Sequence, residues 1–200
     1  MFTRSESFRT FIRLYPVVSV IVCIQVVLWL LFLIPIPTIT YFFASLVGYN
    51  AGVAIGEYWR LVTPIFLHAS FAHILFNSVS IILFAPALER MLGKVRFAAV
   101  YLLTGIVANL ATFFIIEDLT YTHLGASGAI FGLFGIYLYL VVFRKDMIDS
   151  SNSQLIITIL VIGVVMTFIN TNINIIAHIF GVIGGALLAP LFLKKDRRYT

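Results

Sequence analysis

Charge in this chain is confined to short clusters. Between them lie five windows without a single Asp, Glu, Lys or Arg: 14–56, 61–88, 97–116, 119–143 and 150–193. About 20 consecutive apolar residues cross a bilayer core of about 30 Å as a helix, and each window is long enough. With 62% hydrophobic and 10% charged residues, against about 25% charged in an average soluble domain, the chain has more apolar surface than a water-soluble fold of this size can hide. The same composition excludes intrinsic disorder. The alternating ten-residue segments of a membrane barrel are missing. The fold class is all-α, a polytopic membrane protein.

Two windows hold more than one segment. In 14–56, Pro35 and Pro37 end a helix that starts near Tyr15. The apolar stretch after them, about 38–47, is too short to span and reads as interfacial or re-entrant. In 150–193, the polar run Asn170-Thr171-Asn172-Ile173-Asn174 makes a turn between two helices. The spacing therefore predicts six transmembrane helices over about 15–34, 71–88, 97–116, 126–143, 154–169 and 175–193. They form a single membrane domain over 1–200, with a long outer loop from about Pro35 to Ser70.

Basic residues set the orientation. With six spans, twelve of the 13 Lys and Arg fall on one side: Arg4, Arg9, Arg13, Arg90, Lys94, Arg96, Arg144, Lys145 and the cluster Lys194, Lys195, Arg197, Arg198. Arg60 alone faces the other side. Both termini are expected in the cytoplasm. The N-terminal arginines precede an apolar stretch of about 18 residues without an A-x-A site, too long for the core of a signal peptide, so the first helix is expected to be retained. The net charge of +5 forms no basic face interleaved with aromatics, which argues against a nucleic-acid partner. Cys23 is the single cysteine, so no intrachain disulfide can form.

Polar residues gather toward the outer side. All four histidines, His68, His73, His123 and His178, lie in outer loops or at the outer ends of helices. Asn77 follows His73 by one turn on the same helix face, and Ser80 extends the stripe. A polar stripe in a membrane helix faces the bundle or water, and interhelical hydrogen bonding would also explain it. The helix over 126–143 opens with Gly125-Ala126-Ser127-Gly128, which puts a serine among unpaired backbone N–H groups. A plain N-cap is the alternative. The last helix carries His178, Gly181, Gly185 and Ala189 on one stripe, matched by Gly128, Gly132 and Gly135 in the earlier helix. Small stripes let membrane helices pack at close range. If these two face each other, the Ser127 hydroxyl and the His178 imidazole lie at similar depth. An activated serine needs a base and donors for the oxyanion. Ser127 and His178 can supply the first pair, and His73, Asn77 and the Ser127 amide can supply the second. No carboxylate is placed to orient the histidine, because Glu57, Glu117 and Asp118 are in loops. The arrangement is a dyad.

These residues resemble the rhomboid family of intramembrane serine proteases. The matching features are Gly125-x-Ser127-Gly128, Ala177-His178-x-x-Gly181-x-x-x-Gly185 and His73-x-x-x-Asn77, together with Trp59-Arg60 in the outer loop and Glu89 and Gly93 near the inner end of the second span. The resemblance covers about 15–193. It implies a six-helix core whose short fourth helix holds the serine below the membrane surface in a water-filled cavity. It also implies Ser127 as nucleophile, His178 as general base, and His73 with Asn77 as the oxyanion hole. Gly125, Gly128, Phe131, Gly181 and Gly185 would support them. The aromatic four residues after the serine, often tyrosine in the family, is Phe131 here: stacking on His178 survives, but a tyrosine hydroxyl does not.

The expected activity is cleavage of transmembrane segments of other membrane proteins, in the cell membrane, with no cofactor, since dyad hydrolysis needs only water. The expected partners are those substrates and the lipid bilayer. His68 and His123 read as loop or interfacial histidines, and His68-x4-His73 lacks the H-E-x-x-H pattern of a zinc protease, so no metal is expected. An inactive relative that binds membrane clients would typically lack the serine or the histidine. A transporter would be expected to carry a charged residue within a span.

Overall fold

The computed structural model describes Phe2, residues 5–169 and residues 173–193. Arg4, the Asn170–Asn172 turn and the basic cluster after Leu193 lie outside the described residues. A short helix α1 (Phe8–Leu14) is N-capped by Ser7, whose hydroxyl accepts from the Thr10 amide. Pro16 starts the next helix, α2 (Pro16–Phe32), and the residue before a proline is disfavoured in helical geometry. The chain accordingly breaks at Tyr15 and bends by 110° between the two helices. The free N–H groups of Val17 and Val18 at the start of α2 donate to the two carboxylate oxygens of Glu89 at 3.0 and 2.9 Å. Glu89, buried at 3% exposure, thus acts as a remote helix cap, which is where a carboxylate best complements unpaired amides.

Pro37 opens α3 (Pro37–Leu46), the short apolar segment expected from the sequence. A two-residue strand β1 (Gly48–Tyr49), a helix α4 (Asn50–Ala54) and two 3-10 turns (Tyr58–Leu61, Thr63–Phe66) complete the long loop. Trp59-Arg60 ties it together. Trp59 Nε1 donates to the Ser45 carbonyl at 3.0 Å, and the Arg60 guanidinium donates to the carbonyls of Ala44 and Val47 at 2.9 and 2.8 Å while pairing with Glu57. The end of α3 is held by these bonds rather than by its own length.

Five helices follow. α5 (Phe71–Leu92) is capped by Ser70, and Gly93, at φ 80°, turns the chain directly into α6 (Lys94–Ile115). Strand β2 (Thr122–His123) pairs antiparallel with β1 and precedes α7 (Ser127–Phe143). α8 (Ser150–Ile169) and α9 (Ile175–Phe192) complete the chain. α5, α6, α8 and α9 are each long and apolar enough to cross a membrane, α1 with α2 qualifies as a bent pair, and α7 is apolar but only 17 residues long. The chain is a multi-pass helical membrane protein.

The core is a tight trio of α6, α7 and α9. A Cβ on Gly181 would meet the Gly128 carbonyl, and one on Gly185 would meet the Gly132 carbonyl. The two small stripes therefore do face each other, backbone against backbone and in parallel register. α8 stands apart, burying only Ile156, Leu160 and Thr167.

Candidate active site

Loop connections set the height at which α7 begins. The β1–β2 pair, the Asn50 side chain donating to the carbonyls of Ile116 and Asp118, and the Gly125 amide donating to the Pro64 carbonyl at 2.9 Å clamp the segment before α7 onto the long loop. Gly125 has φ 130°, a region that disfavours side chains. A Cβ there would also lie 2.6 Å from His73 Nε2. Glycine is required on both grounds, and its bareness brings the His73 ring onto the backbone just ahead of Ser127. Ser127 is the first residue of α7, where Ala126 occupies the cap position without a side-chain bond. The serine is therefore not an N-cap. Its hydroxyl makes no hydrogen bond among the described residues, which leaves it available beside the positive end of the helix.

His178 lies in the first turn of α9, whose start is fixed by Asn174: its Oδ1 accepts from the Ala177 amide at 2.9 Å and its Nδ2 donates to Thr112 Oγ1 at 3.0 Å. The His178 ring stacks on Phe131 with centroids 4.0 Å apart and planes inclined by 17°. Its Nδ1 is 2.7 Å from Thr167 Oγ1 on α8. Ser127 and His178 are brought to neighbouring turns of two helices in backbone contact, and no hydrogen bond joins them in this structure.

Asn77 is buried at 7% exposure, and its side chain makes no hydrogen bond among the described residues. It is not used as interhelical glue. Ser80, by contrast, is half-buried and donates to its own helix at the Phe76 carbonyl. His73 packs edge-to-face on His68, with centroids 4.9 Å apart. His68 is 3% exposed and burial pushes its pKa down to about 3, helped by the neighbouring His73. His123 sits over Gly48 on the β1–β2 pair, and burial lowers it to about 4. Both are neutral imidazoles at neutral pH. Among the described residues no three His, Cys, Asp or Glu side chains gather as metal ligands.

Thr167 and Asn174 were not picked out by sequence reasoning. Thr167 lies in a helix apolar on all sides, so no periodicity marks the face it presents. Asn174 carries a readable signal, an Asn three residues before Ala177 at the start of an apolar run.

Comparison with known proteins identifies the family of the chain. The Rhomboid domain family matches residues 55–195. The chain is 58% identical over 200 residues to YdcA of Bacillus subtilis (strain 168), provisionally named a rhomboid protease, with the full length of both covered. It is 40% identical over 140 residues to the rhomboid protease GluP of the same organism, covering 70% of this chain and 27% of that larger protein. Rhomboid-like protease 1 of Toxoplasma gondii is 29% identical over 212 residues, covering 96% of this chain and 71% of the relative. With a matched domain that takes in α5 to α9 and a relative aligned end to end, the chain belongs to the rhomboid family.

Proposed function

We propose that this rhomboid-family intramembrane peptidase cuts transmembrane segments of other membrane proteins with a Ser127–His178 dyad. The observation that carries the reading is the backbone contact of Gly128 with Gly181, which sets the start of α7 beside the His178 turn of α9. Ser127 Oγ attacks the scissile carbonyl carbon as His178 Nε2 takes its proton. The same proton passes to the leaving amine, and water, deprotonated by His178, then hydrolyses the acyl-enzyme. The oxyanion is received by the Ser127 amide, His73 and Asn77. Asn77 is free to contribute, because its side chain makes no hydrogen bond to another described residue. No cofactor takes part.

A 17-residue helix is about 25 Å long, less than the about 30 Å of the hydrocarbon core. If the Phe143 end of α7 reaches one membrane face, Ser127 lies beneath the other. Six spans with both termini in the cytoplasm put Arg9, Arg13, Arg90, Lys94, Arg96, Arg144 and Lys145 on the inner face, in accord with the positive-inside rule. The cell membrane is the site that this orientation fits.

The test is labelling of the detergent-solubilised protein with a fluorophosphonate, alongside cleavage of a model transmembrane substrate. Wild type is expected to be labelled and active. Ser127→Ala is expected to lose both, and His178→Ala to lose turnover by a similar factor, because the pair acts as one unit. Near-normal cleavage by folded Ser127→Ala would overturn the assignment.

A further inference from the structure

Thr167 has one hydroxyl proton and two neighbours that could use it. Its Oγ1 lies 2.8 Å from the Gly163 carbonyl, one turn back on α8, and 2.7 Å from His178 Nδ1 on α9. A carbonyl oxygen can only accept. If the hydroxyl proton pointed at His178, two bare oxygens would face each other at 2.8 Å with nothing between them. Donation to Gly163 removes that clash and leaves the Thr167 oxygen with free lone pairs toward the imidazole. Nδ1 of His178 must then carry the ring proton and donate it to Thr167. A neutral imidazole protonated at Nδ1 has its free lone pair on Nε2.

We propose that Thr167 is a positioning residue of the site, fixing His178 as the Nδ1–H tautomer so that Nε2 is the basic nitrogen. The inference rests on the Ser127–His178 reading and adds a third member to what the sequence presents as a dyad. Its surroundings suit the task. Thr167 is 1% exposed, so water does not compete for its oxygen. Phe131 fixes the plane of the imidazole by stacking, but a stack leaves the ring's rotation within that plane unset, and the Thr167 bond supplies that remaining constraint. A carboxylate in this place would also stabilise the imidazolium formed during reaction. A neutral hydroxyl orients the ring without placing a charge among apolar helices, where charge is costly. Because Thr167 is one of three buried residues on α8, this bond is also a main polar tie between that helix and the site.

The experiment combines two readings on the full chain in detergent. Histidine-selective ¹⁵N labelling, with His178 assigned by its substitution, reports which ring nitrogen is protonated. Kinetics on a transmembrane substrate report kcat and KM separately. Wild type is expected to show His178 protonated at Nδ1. Thr167→Val keeps the shape but loses the acceptor, so it should shift the ring toward the Nε2–H form. It should also lower kcat by about two- to twelvefold, the range spanned by one neutral hydrogen bond, with KM unchanged. Thr167→Ser should restore both. A wild-type Nε2–H tautomer overturns the proposal, as does a Thr167→Val protein with unchanged tautomer and turnover. A loss of kcat that Thr167→Ser fails to rescue also overturns it, since packing alone would then be at stake. If Thr167→Val does not fold, the wild-type tautomer and the Thr167→Ala and Thr167→Ser pair give the same decision. The tautomer is read whether or not Ser127 is the nucleophile, so failure of the dyad, seen as an active Ser127→Ala, stays separate.

Discussion

The imidazole of His178 and the phenyl ring of Phe131 lie nearly parallel, 4.0 Å apart, with one ring on α9 and the other one turn below Ser127 on α7. The contact spans the same two helices that the glycine stripes bring together, so the His178 ring is held by the helix that carries Ser127. An aromatic pair is worth about 0.5–1.5 kcal/mol beyond its buried area. Phe131→Leu is expected to lower kcat by up to about tenfold on that scale, with KM little changed. Phe131→Tyr keeps the ring and is expected to stay within about twofold of wild type. Steady-state kinetics on the three proteins check this, and equal turnover in Phe131→Leu would show that the stack is incidental.

Asn77 offers a cleaner test of the oxyanion hole than His73, which also packs on His68 and Gly125. Removing one donor in a soluble serine protease costs about 10²–10³ in turnover. Here the Ser127 amide and His73 would share the load, so Asn77→Ala is expected to lose about 10²-fold or less. The loss should fall on kcat, since the bond forms mainly in the transition state. Tm measured on the same preparation separates this from a packing role. A lowered Tm with unchanged turnover per folded molecule would remove Asn77 from the site.

Gly185 tests the helix contact itself. A methyl group there runs into the Gly132 carbonyl, a backbone atom that cannot rotate away. Gly185→Ala is expected to cost about 1–3 kcal/mol, the usual range for overpacking, and to reduce turnover as α7 and α9 part. At Gly163 the nearest atom is the tip of the Phe131 ring at 3.2 Å, a side chain that can give by a few tenths of an ångström. Gly163→Ala should therefore be the milder change. Thermal unfolding in detergent ranks the two.

Acid should loosen the loop that carries His123. Burial holds its folded-state pKa at about 4 against the usual 6.5. Between those values the unfolded chain takes up a proton that the folded chain refuses, so stability is full above about 6.5 and falls as pH drops toward about 4. Tm is expected to be lower at pH 5 than at pH 7. His123→Phe should show a smaller decrement, with a remainder because His68 is held down in the same direction. Identical decrements in wild type and variant would mean that the ring is solvated in solution.

Orientation is open to a labelling test. Cysteines at Ser151, in the first turn of α8, and at Thr120, in the loop before β2, are both exposed. On a Cys23→Ser background, an impermeant thiol reagent is expected to reach them from opposite sides of oriented vesicles, with Thr120 outside. Labelling of both from one side would contradict the six-span arrangement.

The helices were legible in the charge-free windows because a bilayer enforces apolar length more strictly than water enforces any pattern. Their ends were less so. α6 begins at Lys94 and not near 97, since Gly93 rather than hydropathy decides where the turn closes. α8 begins at Ser150, four residues before its apolar run, because Asp149 accepts from the Asn152 amide and caps a polar first turn. The β1–β2 pair was invisible. Gly48 and His123 are far apart in sequence, and a two-residue ladder leaves no alternation to read. In the candidate site, the residues that announce themselves are those whose chemistry is costly in a membrane, Ser127, His178, His73 and Asn77. Thr167 looks like any threonine in an apolar helix. Its role depends on which turn of α8 meets α9, and the sequence alone leaves that open.

The backbone contact between α7 and α9 also has a mechanical consequence. Transmembrane helices accommodate a bilayer of the wrong thickness partly by tilting. Two helices separated by long side chains can tilt by different amounts, because those side chains repack. Helices whose carbonyls and glycine Cα atoms touch have no such slack, so α7 and α9 must lean together as one strut. The distance between Ser127 and His178 is thereby insulated from membrane thickness, and a thinner or thicker bilayer changes how deep the pair lies while leaving the pair itself intact.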